Sequence, residues 1–329
     1  MVDTRNMPPE VQQVMTFYGQ NYELIVDLEM PRQGAKRLIR PMGTPRICRF
    51  CKGAEPGTTF QSNAHTVPEC VGNGTVLSPD ECDDCNKRLS GAEDDFAKFT
   101  MPDRTFGKIP GKRGVPKIKS STDAIILQIK EKTGALHIQT DHAKKATKVN
   151  REERRLTVTV PLQSYRPLGV YKALLKMAIS VLPDDDLSSF DEALCWLRSD
   201  GVTQNVALPR VGLGCYRTIE ASRRNDPYVL LLLRRRQLTT MAPYATFILS
   251  FGHWTYQIFL PSPKRDAHLE GQRFDIWAFP TRDIAKPMSP GHWATTEWVD
   301  FHSPLLRRVD QREFDLRYDS LTRLSPGPE

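Results

Sequence analysis

The chain has 329 residues, with 46 lysines and arginines against 39 acids and a net charge of +7. Its composition, 39% hydrophobic and 26% charged, is that of a soluble globular protein of about two domains. No apolar run approaches the roughly 18 residues that a bilayer span needs, and no apolar signal core begins the chain. We therefore expect a cytoplasmic protein with no membrane partner, whose excess positive charge favours a polyanionic one.

Residues 1–45 are predicted to form an N-terminal helix and a basic connector. Apolar side chains recur at three- and four-residue spacing from Val11 to Ile25, which predicts an amphipathic helix over residues 8–29. Residues 32–46 carry five lysines and arginines and link this helix to the segment that follows.

Two C-x2-C pairs dominate residues 46–119. Cys48 and Cys51 form the first pair, and Cys82 and Cys85 form the second. The chain has seven cysteines, an odd number, and no export signal is expected, so disulfides are disfavoured and metal binding is favoured. Two such knuckles can place four thiolates tetrahedrally around Zn²⁺. We predict a structural zinc site whose four cysteines leave no open position for catalysis.

The residues between and after the knuckles follow a specific order. "AHTVPE" (64–69) comes after the first pair, then "GN" (72–73), then "ECDDCN" (81–86), directly before a helix-like stretch. This order resembles the HNH endonucleases, the ββα-metal nucleases with zinc-bound knuckles. The resemblance covers about residues 46–119 and implies an HNH nuclease module with a basic tail.

The resemblance implies a role for three residues. His65 would end the first strand of a β-hairpin and act as the general base on the attacking water. Asn73 would hold either the hairpin loop or the His65 ring in place. Asn86 would ligate a catalytic divalent cation, Mg²⁺ or Mn²⁺, which stabilises the phosphate in the transition state. An imidazole of pKa near 6.5 suits proton abstraction at neutral pH.

Each of these residues also has an ordinary structural interpretation. His65 could be a polar residue of a zinc knuckle, Asn73 a turn residue beside two glycines, and Asn86 the cap of the following helix. Ala64 departs from the family pattern, because many members have a carboxylate there as the second protein ligand of the metal. The acids that could replace it by sequence are Glu69, Glu81, Asp83 and Asp84.

The segment "RTFGKIPGKRGVPKIK" (104–119) contains six basic residues and no acid. It is predicted to be a boundary loop. Because it follows the nuclease-like helix, we expect it to contact nucleic-acid phosphates, with four of its residues as the candidates: Lys112, Arg113, Lys117 and Lys119.

Residues 120–329 are predicted to form an α+β domain of unknown role, in recognition, sensing or dimerisation. The stretches "DAIILQIK", "GALHIQT" and "RLTVTVPL" predict strands, and residues 168–182 and 184–198 predict two helices. Further strands are predicted at "YVLLLL", "YATFILSF", "WTYQIFL" and "FDIWAF". The fold class is therefore α+β: an N-terminal zinc-stapled ββα-metal module, then a mixed domain.

These features favour a metal-dependent endonuclease that hydrolyses DNA, in a setting of restriction or defence against foreign DNA. One alternative is a catalytically inactive zinc-knuckle protein that only binds nucleic acid. Another is a nuclease effector licensed by a ligand or partner. The sequence does not distinguish DNA from RNA as the substrate, and it leaves a homodimer or a regulatory partner open.

Overall fold

A computed structural model describes residues 9–30, 34–119, 125–130, 133–140, 147–199, 212–220, 228–280, 294–308, 311–318 and 320. The α+β class is confirmed, since helices and strands mix along the chain. The helices in these ranges are α1 Pro9–Asn21, α2 Asp83–Phe99, α3 Met101–Phe106, α4 Pro167–Val181, α5 Asp184–Leu187, α6 Asp191–Arg198 and α7 Pro263–Asp266.

The strands of the described residues form one large sheet and three small ones. They are β1 Tyr22–Met30, β2 Arg37–Leu38, β3 Val76–Leu77, β4 Ile118–Lys119, β5 Ile125–Ile129, β6 Leu136–Thr140, β7 Thr147–Asn150, β8 Arg155–Pro161, β9 Gly214–Glu220, β10 Tyr228–Arg235, β11 Ala245–Phe251, β12 Trp254–Leu260, β13 Ala294–Asp300 and β14 Gln311–Arg317.

The large sheet has six antiparallel strands in the order β1-β10-β11-β12-β9-β13. Its central strands are buried almost throughout, which is why their sequences are apolar with little alternation. The small sheets have the orders β14-β8-β7, β4-β5-β6 and β2-β3. The strands predicted at "YVLLLL", "YATFILSF" and "WTYQIFL" are β10, β11 and β12.

Two predicted elements differ from the structure. The helix predicted over residues 8–29 ends at Asn21, and β1 pairs with β10 from Tyr22 onward. The segment "YELIVDLEM" alternates apolar and polar side chains, a period-two pattern that overrides the helical spacing of Ile25. "FDIWAF" is not a strand, because its main chain bonds to side chains instead: Tyr18 donates to the Trp277 carbonyl at 2.6 Å.

Helix α4 packs against both the cysteine-rich segment (residues 46–119) and the rest of the later segment (residues 120–329). All of its residues are buried, and it packs along α2 and against β12. One hydrophobic core includes Phe50 and Phe96 from the cysteine-rich segment together with Leu174 and Tyr256 from the later one. The division into residues 1–45, 46–119 and 120–329 stays a prediction, but its two larger parts share this core.

Candidate functional site

The four paired cysteines meet in space. Their sulfur atoms all lie within 4.8 Å of one another, and Cys51 Sγ lies 3.7 Å from Cys82 Sγ. A Zn–S bond of about 2.3 Å gives a tetrahedron whose sulfurs are about 3.8 Å apart. The thiol chemistry and the spacing therefore fit a zinc ion held by Cys48, Cys51, Cys82 and Cys85.

Local backbone geometry explains how the first knuckle forms. The chain turns back after Cys48, with the Lys52 amide donating to the Cys48 carbonyl at 2.9 Å. Lys52 has a φ of 63°, and the Gly53 amide then donates to Cys51 Sγ at 3.4 Å. A Cβ at Gly53 would meet the Thr58 hydroxyl and lie 3.3 Å from Cys51 Sγ, so this tight turn favours glycine.

The second knuckle is the start of helix α2. Cys82 caps the helix, and its sulfur accepts from the Cys85 amide at 3.4 Å. The Asn86 amide donates to the Cys82 carbonyl at 2.9 Å, which places Asn86 in the first turn of α2. Amides aimed at sulfur stabilise thiolate charge, so both knuckles are built for anionic ligands.

A hairpin carries His65 beside the cysteine cluster. His65 forms an isolated antiparallel bridge with Leu77 in β3, and the Ser78 amide donates to the Ala64 carbonyl at 2.8 Å. The Thr66 amide donates to the Val76 carbonyl at 3.2 Å. These main-chain bonds hold the backbone at His65 against β3, independently of the His65 ring, but they form a single bridge and not the strand that the resemblance implies.

Asn73 organises the loop of this hairpin. Its side chain is 0% exposed, and its Nδ2 donates to the carbonyls of Val67 at 2.8 Å and Val76 at 3.0 Å. Its Oδ1 accepts from the amides of Thr75 at 3.1 Å and Val76 at 2.9 Å. Of the two roles that the resemblance allows for Asn73, these contacts favour holding the loop.

His65 and Asn86 line one cavity of about 400 Å³, although 20 residues separate them in sequence. The cavity is polar and contains two lysines and two carboxylates from four different segments. Its described lining residues are Lys36, Asn63, His65, Pro68, Glu69, Asn86, Glu93 and Lys112. The structure thus brings together the predicted base, the predicted cation ligand and one residue of the basic segment, while Asn73 lies in the hairpin loop and is not among the lining residues.

The environment of His65 favours the neutral form of its ring. Its Nε2 lies 3.5 Å from Glu69 Oε1, and its Nδ1 is buried with no hydrogen-bond partner among the described residues. Burial lowers the pKa of His65 below its usual 6.5, and the positive charges of Lys36 and Lys176 lower it further against the opposing effect of Glu69 and Glu93. The lowered pKa favours the neutral imidazole, which is the form that can accept a proton.

The structure discriminates among the acids that could replace a carboxylate at position 64. Ala64 itself is 1% exposed. Asp83 accepts from the Thr59 hydroxyl and from the amides of Gln61 and Ser62, and these bonds hold its pKa well below the usual range. The Asp83 carboxylate therefore already binds the segment that leads into the hairpin, residues 59–62.

Glu81 is buried and does not line the cavity, whereas Glu69 does. Asp84 is exposed on the first turn of α2 and is not among the lining residues. Glu93 is a cavity carboxylate that the sequence analysis missed. It follows Asn86 by seven residues, or about two helical turns, and this i, i+7 spacing on one face of α2 is the signal that could have identified it.

The basic segment differs in part from the predicted loop. Residues 104–106 belong to α3, and residues 118–119 form β4. Arg104 is buried and donates to the carbonyls of Cys70 at 2.9 Å and Ala97 at 2.6 Å, so its role is structural. The four predicted phosphate contacts are all exposed: Lys112, Arg113, Lys117 and Lys119.

No protein-family model matches the chain, and neither the curated proteins nor the solved structures include a match. Within the residues that the structure describes, no helix has the length and apolar character needed to cross a membrane.

Proposed function

We propose that the protein is a metal-dependent endonuclease of the HNH type, which hydrolyses phosphodiester bonds of DNA. The observation that carries this proposal is the shared cavity of His65 and Asn86, with Lys36 and Lys112 at its wall. Lone histidines and asparagines are common in folds, but a base, an amide oxygen and two cations around one cavity match the needs of phosphodiester hydrolysis.

His65 is the general base of the proposed reaction. Its neutral ring accepts a proton from the attacking water, and its main-chain pairing holds it in place during that transfer. Lys36 and Lys112 bind the phosphates on either side of the scissile bond, because their ammonium groups complement the negative backbone.

A hard divalent cation fits the oxygen donors of this cavity. The amide oxygen of Asn86 and the carboxylates of Glu69 and Glu93 are the ligand types that Mg²⁺ and Mn²⁺ prefer. When bound, the cation supplies stabilisation of the phosphate charge in the transition state. The zinc proposed at the four cysteines has no open position and therefore acts as a structural staple for the hairpin and α2.

The proposal is tested by incubating the purified protein with supercoiled plasmid and either Mg²⁺ or Mn²⁺. We expect nicked and linear products that disappear with EDTA, and much slower product formation by His65→Ala. Parallel reactions with single-stranded RNA decide the substrate class. Absence of cleavage by the wild type under both metals contradicts the proposal.

One observation favours a second candidate, a zinc module that binds nucleic acid without cutting it. Ala64 is buried and is not among the residues that line the cavity, so the position before His65 offers no carboxylate to the site. A binding module would shift duplex DNA in a gel without nicking it, and His65→Ala would bind and behave like the wild type. A nuclease licensed by a partner would instead gain activity on addition of cell extract.

A further inference from the structure

A buried lysine from the later part of the chain reaches the wall of the cavity. Lys176 lies in α4, and its side chain is 1% exposed. Its Nζ lies 2.7 Å from Glu93 Oε1 and 3.0 Å from Glu81 Oε2, and it donates to the main-chain carbonyl of His65 at 3.4 Å. One ammonium group therefore ties the hairpin, the second knuckle and α2 to the same point.

The cluster contains two carboxylates, Glu81 and Glu93, and one ammonium group, that of Lys176. Burial lowers the pKa of Lys176, but Glu81 and Glu93 outweigh that effect and raise it above the usual range, so the ammonium stays charged. Glu81 is fully buried and forms an ion pair rather than an aligned hydrogen bond. Glu93 is 22% exposed, and it is the carboxylate of this cluster that opens into the cavity.

Stability alone does not account for such a lysine. Apolar side chains of similar volume usually replace a buried ion pair without loss of stability, and α4 is otherwise almost entirely apolar. Lys172 lies one turn earlier in α4 and is also buried, yet its Nζ donates to the Trp196 carbonyl at 3.2 Å and lies over the Trp196 ring. The hydrogen bonds from Lys172 to Trp196 and Ser199 lie in the later segment, whereas the contacts of Lys176 with Glu81, Glu93 and His65 converge on the candidate site.

We propose that Lys176 is a positioning residue of the nuclease centre, which fixes the main chain at His65 and orients the Glu93 carboxylate toward the cavity. This inference rests on the proposed function. Carboxylates that serve a cation site are commonly held by a hydrogen bond to their second oxygen, and Lys176 provides that bond to Glu93. Through Lys176, the later segment (residues 120–329) becomes part of the active centre and is not merely an appended domain.

The test uses a double variant and a matched control. Lys176→Met alone leaves the fully buried Glu81 carboxylate without a cation and is expected to destabilise the protein strongly, so it is combined with Glu81→Gln. The control is Lys172→Met, the same change in the same helix. Zinc content and circular dichroism verify that both variants are folded.

The first readout is the titration of the His65 imidazole, followed by NMR on the intact protein. The charged groups that act on this ring come from four elements: Lys36, Glu69, Glu93 and Lys176. In the double variant the His65 pKa should rise, because a neighbouring cation is lost while Glu93 remains. Lys172→Met should leave it unchanged.

The second readout is Mn²⁺ binding followed by EPR, together with steady-state cleavage. The double variant should bind Mn²⁺ about tenfold more weakly, with a lower kcat and an unchanged KM for plasmid. A folded double variant with the wild-type His65 pKa and Mn²⁺ affinity would overturn the inference. If the wild type neither binds Mn²⁺ nor cuts DNA, the proposed function fails. If the wild type does both and the folded double variant matches it in both, only the role of Lys176 is overturned.

Discussion

Replacement of Asn73 by alanine should destabilise the hairpin that carries His65. The change removes four hydrogen bonds, and the buried Val67 carbonyl and Val76 amide both lose the partner that Asn73 gives them. An unsatisfied buried group costs about 1–3 kcal/mol, so the free energy of unfolding should fall by about 2–6 kcal/mol. Asn73→Asp should destabilise similarly, because its carboxylate would face two carbonyl oxygens.

The assay is urea unfolding followed by circular dichroism in zinc-containing buffer. Asn63→Ala is the matched control, because Asn63 is exposed in the same hairpin and its replacement should change stability by less than about 0.5 kcal/mol. The reasoning would be refuted by an Asn73→Ala protein as stable as the wild type but unable to cut DNA. That result would give Asn73 a part in the chemistry and not in the loop.

Three further predictions concern the metal, the base and the basic segment. Metal analysis should find one zinc per chain. Cys82→Ser should lose this zinc, and with it a contribution to the folding free energy on the order of 10 kcal/mol. A wild type that is folded without zinc would contradict this prediction. Because the pKa of His65 is lowered from 6.5, its imidazole is mostly neutral above pH 6.5. The cleavage rate should therefore fall only as the pH drops below 6.5. A rate that already falls above pH 7 would contradict this prediction. Replacing both Lys112 and Arg113 by glutamate should weaken binding to all duplexes alike and flatten the log–log salt slope by about 2, whereas unchanged affinity would make the segment a solvated loop.

The zinc cluster was predictable because its information is local. Two C-x2-C pairs specify their own turns, and the structure brings all four sulfurs within 4.8 Å. The same applies to α4, whose continuous apolar sequence predicts a fully buried helix. In both cases the residues that form the feature are close together in sequence or share one chemical property.

Other features depended on distant partners. β1 is a strand because β10 lies beside it, and residues 22–30 contain a helical spacing as well as an alternating one. The role of Lys176 is not predictable from the sequence, because a single lysine in an apolar helix does not indicate which carboxylates it will contact. Glu93 was missed since its role depends on the cavity that α2 and the hairpin form together.

The most direct test of the central claim is the single-turnover cleavage rate of His65→Ala at saturating plasmid and metal. Because the hairpin is held by main-chain bonds, this variant should keep its zinc and its affinity for DNA. Loss of a general base lowers the rate by about 10²–10⁴-fold, and we predict a loss in this range. A His65→Ala protein that cuts at the wild-type rate would show that His65 is not the base.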